Sequence, residues 1–248
     1  MNKVNLVILV LAIGGVAAFL AFKVFGDRDE DEDEGPRSTV QAGATEPPAP
    51  VQPAGKELTY NFDQDEAGKL PASFHSALTG GGPKPEWIVQ HDPTAPSQPN
   101  VLAQTSRDQT DYRFPLAIAD EGSFRDLSLS VRFKAVDGKV DQAAGLVFRL
   151  QDGNNYYVVR ANALEDNYNL YDVVKGVRRQ IKGASIKVTS GVWHEIRVEA
   201  VGNKITCFFD EQKKIEATDD TFNEPGKVGL WTKADSLTLF DDLHVIAK

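Results

Sequence analysis

The chain has 248 residues, a formal net charge of −9 and one cysteine. The acidic balance excludes a nucleic-acid partner, because no basic stripe is present to neutralise phosphates. The lone Cys207 excludes an intrachain disulfide, so stability must come from a buried core, of which Cys207 is read as a small apolar member.

The first element is apolar. Leu6 to Phe22 carries no charge and lies between Lys3 and Lys23. Seventeen helical residues span about 25 Å, short for a bilayer, and including Val4 and Phe25 lengthens the span. Residues 1–25 read either as an uncleaved anchor crossing the membrane through residues 4–25, or as a signal peptide with Val16 and Ala18 at its cleavage site. Both are export signals, and the basic end keeps Lys3 in the cytoplasm. The expected location is the cell envelope, anchored in the inner membrane with the remainder extracytoplasmic, or secreted after cleavage.

Residues 26–55 form a linker. The run 27–34, Asp-Arg-Asp-Glu-Asp-Glu-Asp-Glu, is a self-repelling solvated tether; its consecutive acids lack the glycine-turn spacing of a calcium loop. Residues 35–55 are rich in Pro, Ala and Gly and cannot bury a core.

The globular part is expected over residues 56–248. Its clearest strand runs from 124 to 136, where Leu127, Leu129, Val131 and Phe133 alternate with Ser128, Ser130, Arg132 and Lys134. Period two with one apolar face predicts a half-buried antiparallel strand. Further strands are predicted at 57–62, 86–90, 101–105, 112–118, 145–151, 155–163, 168–174, 193–201, 204–210, 213–217, 227–233 and 236–246. Asp152-Gly153-Asn154, Lys175-Gly176 and Gly202-Asn203 supply hairpin turns. Residues 79–100, with three consecutive glycines and five prolines, read as a long loop around Trp87, either functional or anchored by Trp87 over a sheet edge. Many short strands without a helical period predict an all-β sandwich or barrel.

Trp193-His194-Glu195-Ile196-Arg197-Val198-Glu199, Ile205-Thr206-Cys207-Phe208-Phe209-Asp210, Gly226-Lys227-Val228-Gly229-Leu230-Trp231 and Phe240-Asp241-Asp242-Leu243 occur in an order that resembles the C-terminal strands of the concanavalin A-like (laminin G-like) superfamily. The resemblance implies a jelly-roll β-sandwich with ligands across a concave sheet. Alternation assigns Arg149, Gln151, Tyr156, Arg160, Asn162, Asn169, Tyr171, Trp231 and Lys233 to that face, with Leu146, Phe148 and Leu150 inward. Aromatic rings beside guanidinium and amide groups suit sugars. The competing readings of the face are ordinary β-rich surface, or a protein–protein patch as in laminin G-like domains.

Laminarinase-type glycosidases of that superfamily carry a Glu-x-Asp-x-(x)-Glu motif. The nearest run here is Glu195-Ile196-Arg197-Val198-Glu199, where Arg197 replaces the central acid. An arginine there is expected to lower the carboxyl pKa values, opposing general-acid chemistry.

A second resemblance rests on Asp126-Leu127-Ser128-Leu129-Ser130-Val131-Arg132-Phe133, Ala144-Gly145-Leu146-Val147-Phe148-Arg149, Asn155-Tyr156-Tyr157-Val158-Val159-Arg160 and Trp193 to Val198. These are similar to the bacterial 3-keto-disaccharide hydrolase-like family. The family run has Asn-Ser-Gly where this chain has Ala143-Ala144-Gly145; Gly145, Phe148 and Arg149 match. The resemblance implies cleavage of 3-keto-glycosides by elimination and hydration, with Arg149 as the matching polar residue. His91, beside Asp92, is a candidate base near ligand. No histidine pair has zinc-ligand spacing. The fold resemblance implies a calcium ion near the chain ends, for which Asp63, Asp65 and Asp241 are candidate ligands. Three functions stand from the sequence: a glycan-binding envelope module, a 3-keto-glycoside hydrolase or lyase, or a laminin G-like protein–protein interaction module.

Overall fold

The computed structural model describes Val51 and residues 53–248. The apolar segment 1–25, the acidic run 27–34 and most of the linker lie outside the described residues. Fifteen strands follow in order: β1 (Glu57–Tyr60), β2 (Phe74–Gly80), β3 (Trp87–His91), β4 (Asn100–Gln104), β5 (Arg113–Ala119), β6 (Leu127–Asp137), β7 (Ala143–Asp152), β8 (Asn155–Asn162), β9 (Asn167–Val174), β10 (Val177–Ser185), β11 (Trp193–Val201), β12 (Lys204–Phe209), β13 (Gln212–Thr218), β14 (Lys227–Trp231) and β15 (Leu237–Ala247). Among the described residues there is no helix.

The strands form two sheets, and every named strand pairing is antiparallel. The eight-stranded sheet has the order β13-β12-β11-β6-β15-β4-β3, with β1 also on β15; the seven-stranded sheet has the order β10-β9-β8-β7-β14-β5-β2. This is an all-β sandwich. β6 shows why the sheets stack: Leu127, Leu129, Val131, Phe133 and Ala135 are buried, while the residues between them are half-buried on the opposite face. They meet Leu146, Phe148, Tyr157, Val159, Leu170 and Leu230 of the other sheet in one core. Each such side chain contributes roughly 1.5–3 kcal/mol by leaving water. Cys207 is part of that core, and burial pushes its thiol pKa up, as befits an inert small apolar group.

Thirteen predicted strands are present. The two that alternation missed, β2 and β10, are the two edges of the seven-stranded sheet. Edge strands are wetter and more polar, so period two is blurred in Phe74–Gly80 and Val177–Ser185. Residues 79–100 are also not one long loop. β2 ends at Gly80, β3 occupies Trp87–His91, and Trp87 is buried with its ring 5.8 Å from that of Phe240. Gly80 is required: its φ is +86°, and a Cβ there would lie 2.1 Å from the Tyr112 carbonyl oxygen.

β15 is shared on one edge by two strands. β4 pairs with Thr238–Phe240 and β1 with Leu243–Ile246. Asp241 sits in the gap between them, fully buried, where its carboxylate accepts the Ser97 N–H, the Ser97 hydroxyl and the Asp242 N–H, each at 2.8 Å. Burial pushes its pKa up to about 6, against these hydrogen bonds.

The seven-stranded sheet is strongly curved. Tyr112, at the entry to β5, donates its hydroxyl to the Gly176 carbonyl at 2.9 Å and accepts the Arg178 N–H at 2.8 Å. Four strands separate β5 from β10 in that sheet, so the contact requires it to curl into a trough. At the same end, Thr79 of β2 donates to the Gly153 carbonyl at 2.6 Å and hydrogen-bonds the Tyr156 hydroxyl at 2.7 Å. The β7–β8 end of the trough is thereby closed.

Candidate functional site

The hollow of the trough is the outer face of the seven-stranded sheet. It carries its own buried cluster, including Phe114, Leu116, Val147, Leu150, Tyr156, Val158, Tyr171 and Trp231. Fully exposed sheet faces do not bury such residues without a cover. Arg178 lies over part of this cluster, its Cζ 4.5 Å from the Tyr171 ring, 4.7 Å from Phe114 and 5.8 Å from Trp231. Trp231 fits because its neighbour across the ladder is glycine. A Cβ on Gly145 would lie 2.9 Å from the Val159 carbonyl oxygen and 3.3 Å from the Trp231 ring.

The other end of the trough, by the β8–β9 turn, is polar. Arg160 donates to Glu165 at 2.7 Å and to Asn167 at 2.6 Å, and its Cζ is 5.7 Å from the Tyr171 ring. Asn169 donates to the Tyr171 hydroxyl at 2.9 Å. Asp141, fully buried, accepts Asn162 Nδ2 at 2.6 Å and pairs with Lys233 Nζ at 2.9 Å; Lys233 also reaches Asp111 at 2.6 Å. Burial raises the Asp141 pKa more than Lys233 lowers it. Burial works to lower Lys233, but its two carboxylates outweigh that and raise it. Burial likewise works to raise Glu165, and the bonds from Asn167 and Arg160 reverse the sign.

Seven of the nine predicted ligand-facing residues therefore share this trough: Tyr156, Arg160, Asn162, Asn169, Tyr171, Trp231 and Lys233. Tyr156, Asn162 and Trp231 form a buried floor, while Tyr171 and Asn169 keep slight exposure.

Arg149 does not join them. The β7–β8 register slips between Phe148 and Asp152, and Arg149 has φ +46°. This bulge shifts the alternation by one residue. Leu150, expected inward, packs on the trough side, and Arg149 is fully buried at the end of the sandwich. Its guanidinium donates to the carbonyls of Arg125 at 2.7 Å, Phe222 at 3.0 Å and Gly202 at 2.6 Å, and to Asp126 at 3.4 Å. It ties three loops together. Gln151 follows it out of the site and donates to the carbonyls of Arg149 and Pro225, both at 3.1 Å.

His91 lies at the exposed end of β3 in the other sheet, so it faces no part of the trough. Among the described residues no three His, Cys, Asp or Glu side chains form a metal-binding group, so Asp63, Asp65 and Asp241 do not converge with a further such side chain. Asp63 accepts the Asn100 N–H at 3.1 Å, Asp241 is committed to Ser97, and burial alone raises the Asp65 carboxyl. The acidic run of β11 is on the outer face of the eight-stranded sheet. There Arg197 pairs with Glu199 and stacks 3.7 Å from the Phe208 ring centre. The Glu195 pKa is raised, not lowered: burial outweighs Arg132 and Arg197.

Sequence reasoning missed Arg178, Asp141, Glu165 and Asn167. The Lys175-Gly176 turn was a signal for Arg178, since a hairpin turn demands a strand after it. Asp141 carried no signal, because its pairing depends on Lys233, distant in sequence.

The family model of the 3-keto-alpha-glucoside-1,2-lyase-like domain matches residues 89–246. No curated protein matches the chain. Solved structures share its fold at low identity. The carbohydrate binding module CBM66 from Bacillus subtilis is 18% identical with a TM-score of 0.55, covering 69% of this chain and 95% of that one. The Bacillus licheniformis beta-glucanase is 14% identical with a TM-score of 0.52, covering 78% and 99%. Domain 4 of AbnA, an extracellular arabinanase from Geobacillus stearothermophilus solved with arabinotriose, is 13% identical with a TM-score of 0.51, covering 79% and 94%. These neighbours carry concanavalin A-like jelly-roll folds, and the chain itself belongs to the 3-keto-alpha-glucoside-1,2-lyase-like family.

Proposed function

We propose that the trough of the seven-stranded sheet binds a saccharide and that the protein is an extracytoplasmic glycan-recognition module. The observation that carries this is one sheet face on which Tyr171, slightly exposed, lies beside Arg160, Asn169 and Lys233 over the buried Trp231. Sugar C–H faces pack on aromatic rings, while paired guanidinium and amide donors select hydroxyl oxygens. The folds shared with a carbohydrate binding module and with an arabinotriose-bound arabinanase domain support the ligand class. The apolar run after Lys3 supports export, with the domain tethered to the membrane or released from it.

A second reading is elimination at a 3-keto-glycoside, favoured by the family match and by the Asp141–Lys233 pair. The ketone acidifies the C2 proton. Asp141 would take that proton, the C–H electron pair would form the C1–C2 double bond, the C1–O bond would break, and the departing oxygen would take a proton from Lys233. Asp141 is sealed behind Lys233, which makes binding the preferred reading.

Titration of the full chain with neutral and oxidised glucosides, followed by tryptophan emission and by product release, separates the two. Saturable binding without turnover is the expected result. Release of product from a 3-keto-glucoside, abolished in Asp141→Asn, would establish the lyase reading instead. Absence of both would direct attention to a protein partner.

A further inference from the structure

Resting on the saccharide reading, we infer that the trough takes an acidic sugar and that Arg178 receives its carboxylate. Charge pairing is the starting point. Lys233 is paired with Asp111 and Asp141, and Arg160 with Glu165. Among the described residues no carboxylate pairs with Arg178, and its Nη1 is buried without a hydrogen-bond partner. A guanidinium stays charged in proteins even when burial lowers its pKa, so this site holds an unmatched cation.

The geometry leaves that cation in a receptive orientation. Tyr171, Phe114 and Trp231 surround its apolar faces at 4.5 to 5.8 Å, holding the planar group without using its N–H donors. Arg160 lies against the same Tyr171 ring and has a buried, unpartnered Nε. Two unmatched guanidinium donors beside one aromatic floor call for a group that only accepts. A carboxylate has two acceptor oxygens and no proton to place, and it meets a guanidinium edge through parallel hydrogen bonds. A neutral hydroxyl would bring a donor of its own and no charge to match the guanidinium. The acids already present do not compete for Arg178: Glu165 is held by Arg160 and Asn167, and Asp141 by Asn162 and Lys233. The ligand class is therefore a uronic acid or a saccharide ending in one.

The test is calorimetric titration of the full chain with D-glucuronate, its methyl ester and D-glucose at low and high salt. Glucuronate is expected to bind at least about tenfold more tightly than the ester or glucose, as one hydrogen-bonded charge contributes, with the gap narrowing in salt. Arg178→Gln is expected to erase the preference, so that glucuronate, its ester and glucose bind alike. Arg178→Lys, which keeps the charge and loses the fork, is expected to retain part of it. Circular dichroism of each variant shows that it is folded. Equal affinity for glucuronate and glucose would overturn the inference and leave the saccharide reading standing. Binding of none of the three by folded protein would overturn both.

Discussion

The phenol of Tyr112, at the entry to β5, and the backbone of Arg178 in β10 are joined by a 2.8 Å hydrogen bond across a sheet in which four strands lie between β5 and β10. That bond, with its companion to Gly176, fixes the curl of the trough and sets Arg178 over its aromatic floor. Tyr112→Phe keeps the ring against Phe114 and removes both hydrogen bonds. A loss of about 1–3 kcal/mol is expected, lowering Tm by several degrees for a domain of this size. Thermal unfolding of the two proteins measures it; an unchanged midpoint would mean that the curl is held elsewhere.

Gly145→Ala places a methyl against the Val159 carbonyl and the Trp231 ring. Overpacking of this kind costs about 1–3 kcal/mol. Trp231 should tilt, so its emission should shift along with the loss of stability. Unaltered emission and denaturant midpoint would show that the site has slack.

Arg149→Met strips hydrogen bonds from the carbonyls of Arg125, Gly202 and Phe222 and leaves Asp126 without its cation, held by the Gly202 N–H alone. The expected loss is about 3 kcal/mol or more. Because Arg149 lies outside the trough, the fraction that remains folded should bind ligand with wild-type affinity. A weakened affinity at unchanged stability would return Arg149 to the site.

These cases show how far the sequence carries. Alternation placed Tyr156, Arg160, Tyr171 and Trp231 on one face because β8, β9 and β14 obey period two in that region. It failed for Arg149 and Leu150 because a single left-handed residue reverses the phase, and a non-glycine bulge leaves no mark in composition. It failed for Arg178 because an edge strand is amphiphilic without being regular. The curl itself was invisible, since it depends on Tyr112 meeting a turn far along the chain. Core positions were legible because burial selects residue type; pairing among charged residues was not.

Asp241 gives a pH signature. Its folded pKa, about 6, lies above the usual carboxylate value, so the native state holds this proton more tightly than the unfolded chain does. The stability penalty of the ionised form is present in full above about pH 6 and is relieved as pH falls toward 4. In wild type minus Asp241→Asn, the difference in unfolding free energy should therefore shift toward wild type between pH 7 and pH 4. A flat difference would show that Ser97 and Asp242 fully compensate the buried charge.

The most direct test of the central claim is to find where a saccharide lands, by hydrogen–deuterium exchange of the full chain with and without saturating ligand. The trough predicts protection in β8, β9 and the turn between them, around Arg160, Glu165 and Asn169, and at Trp231 to Lys233. Two other surfaces are the competing locations: the groove of about 480 Å³ lined by Ile181, Lys182, Lys204 and Glu216, and the charged outer face of β11. Protection confined to either of those, with the β8–β9 turn exchanging as in the free protein, would contradict the assignment.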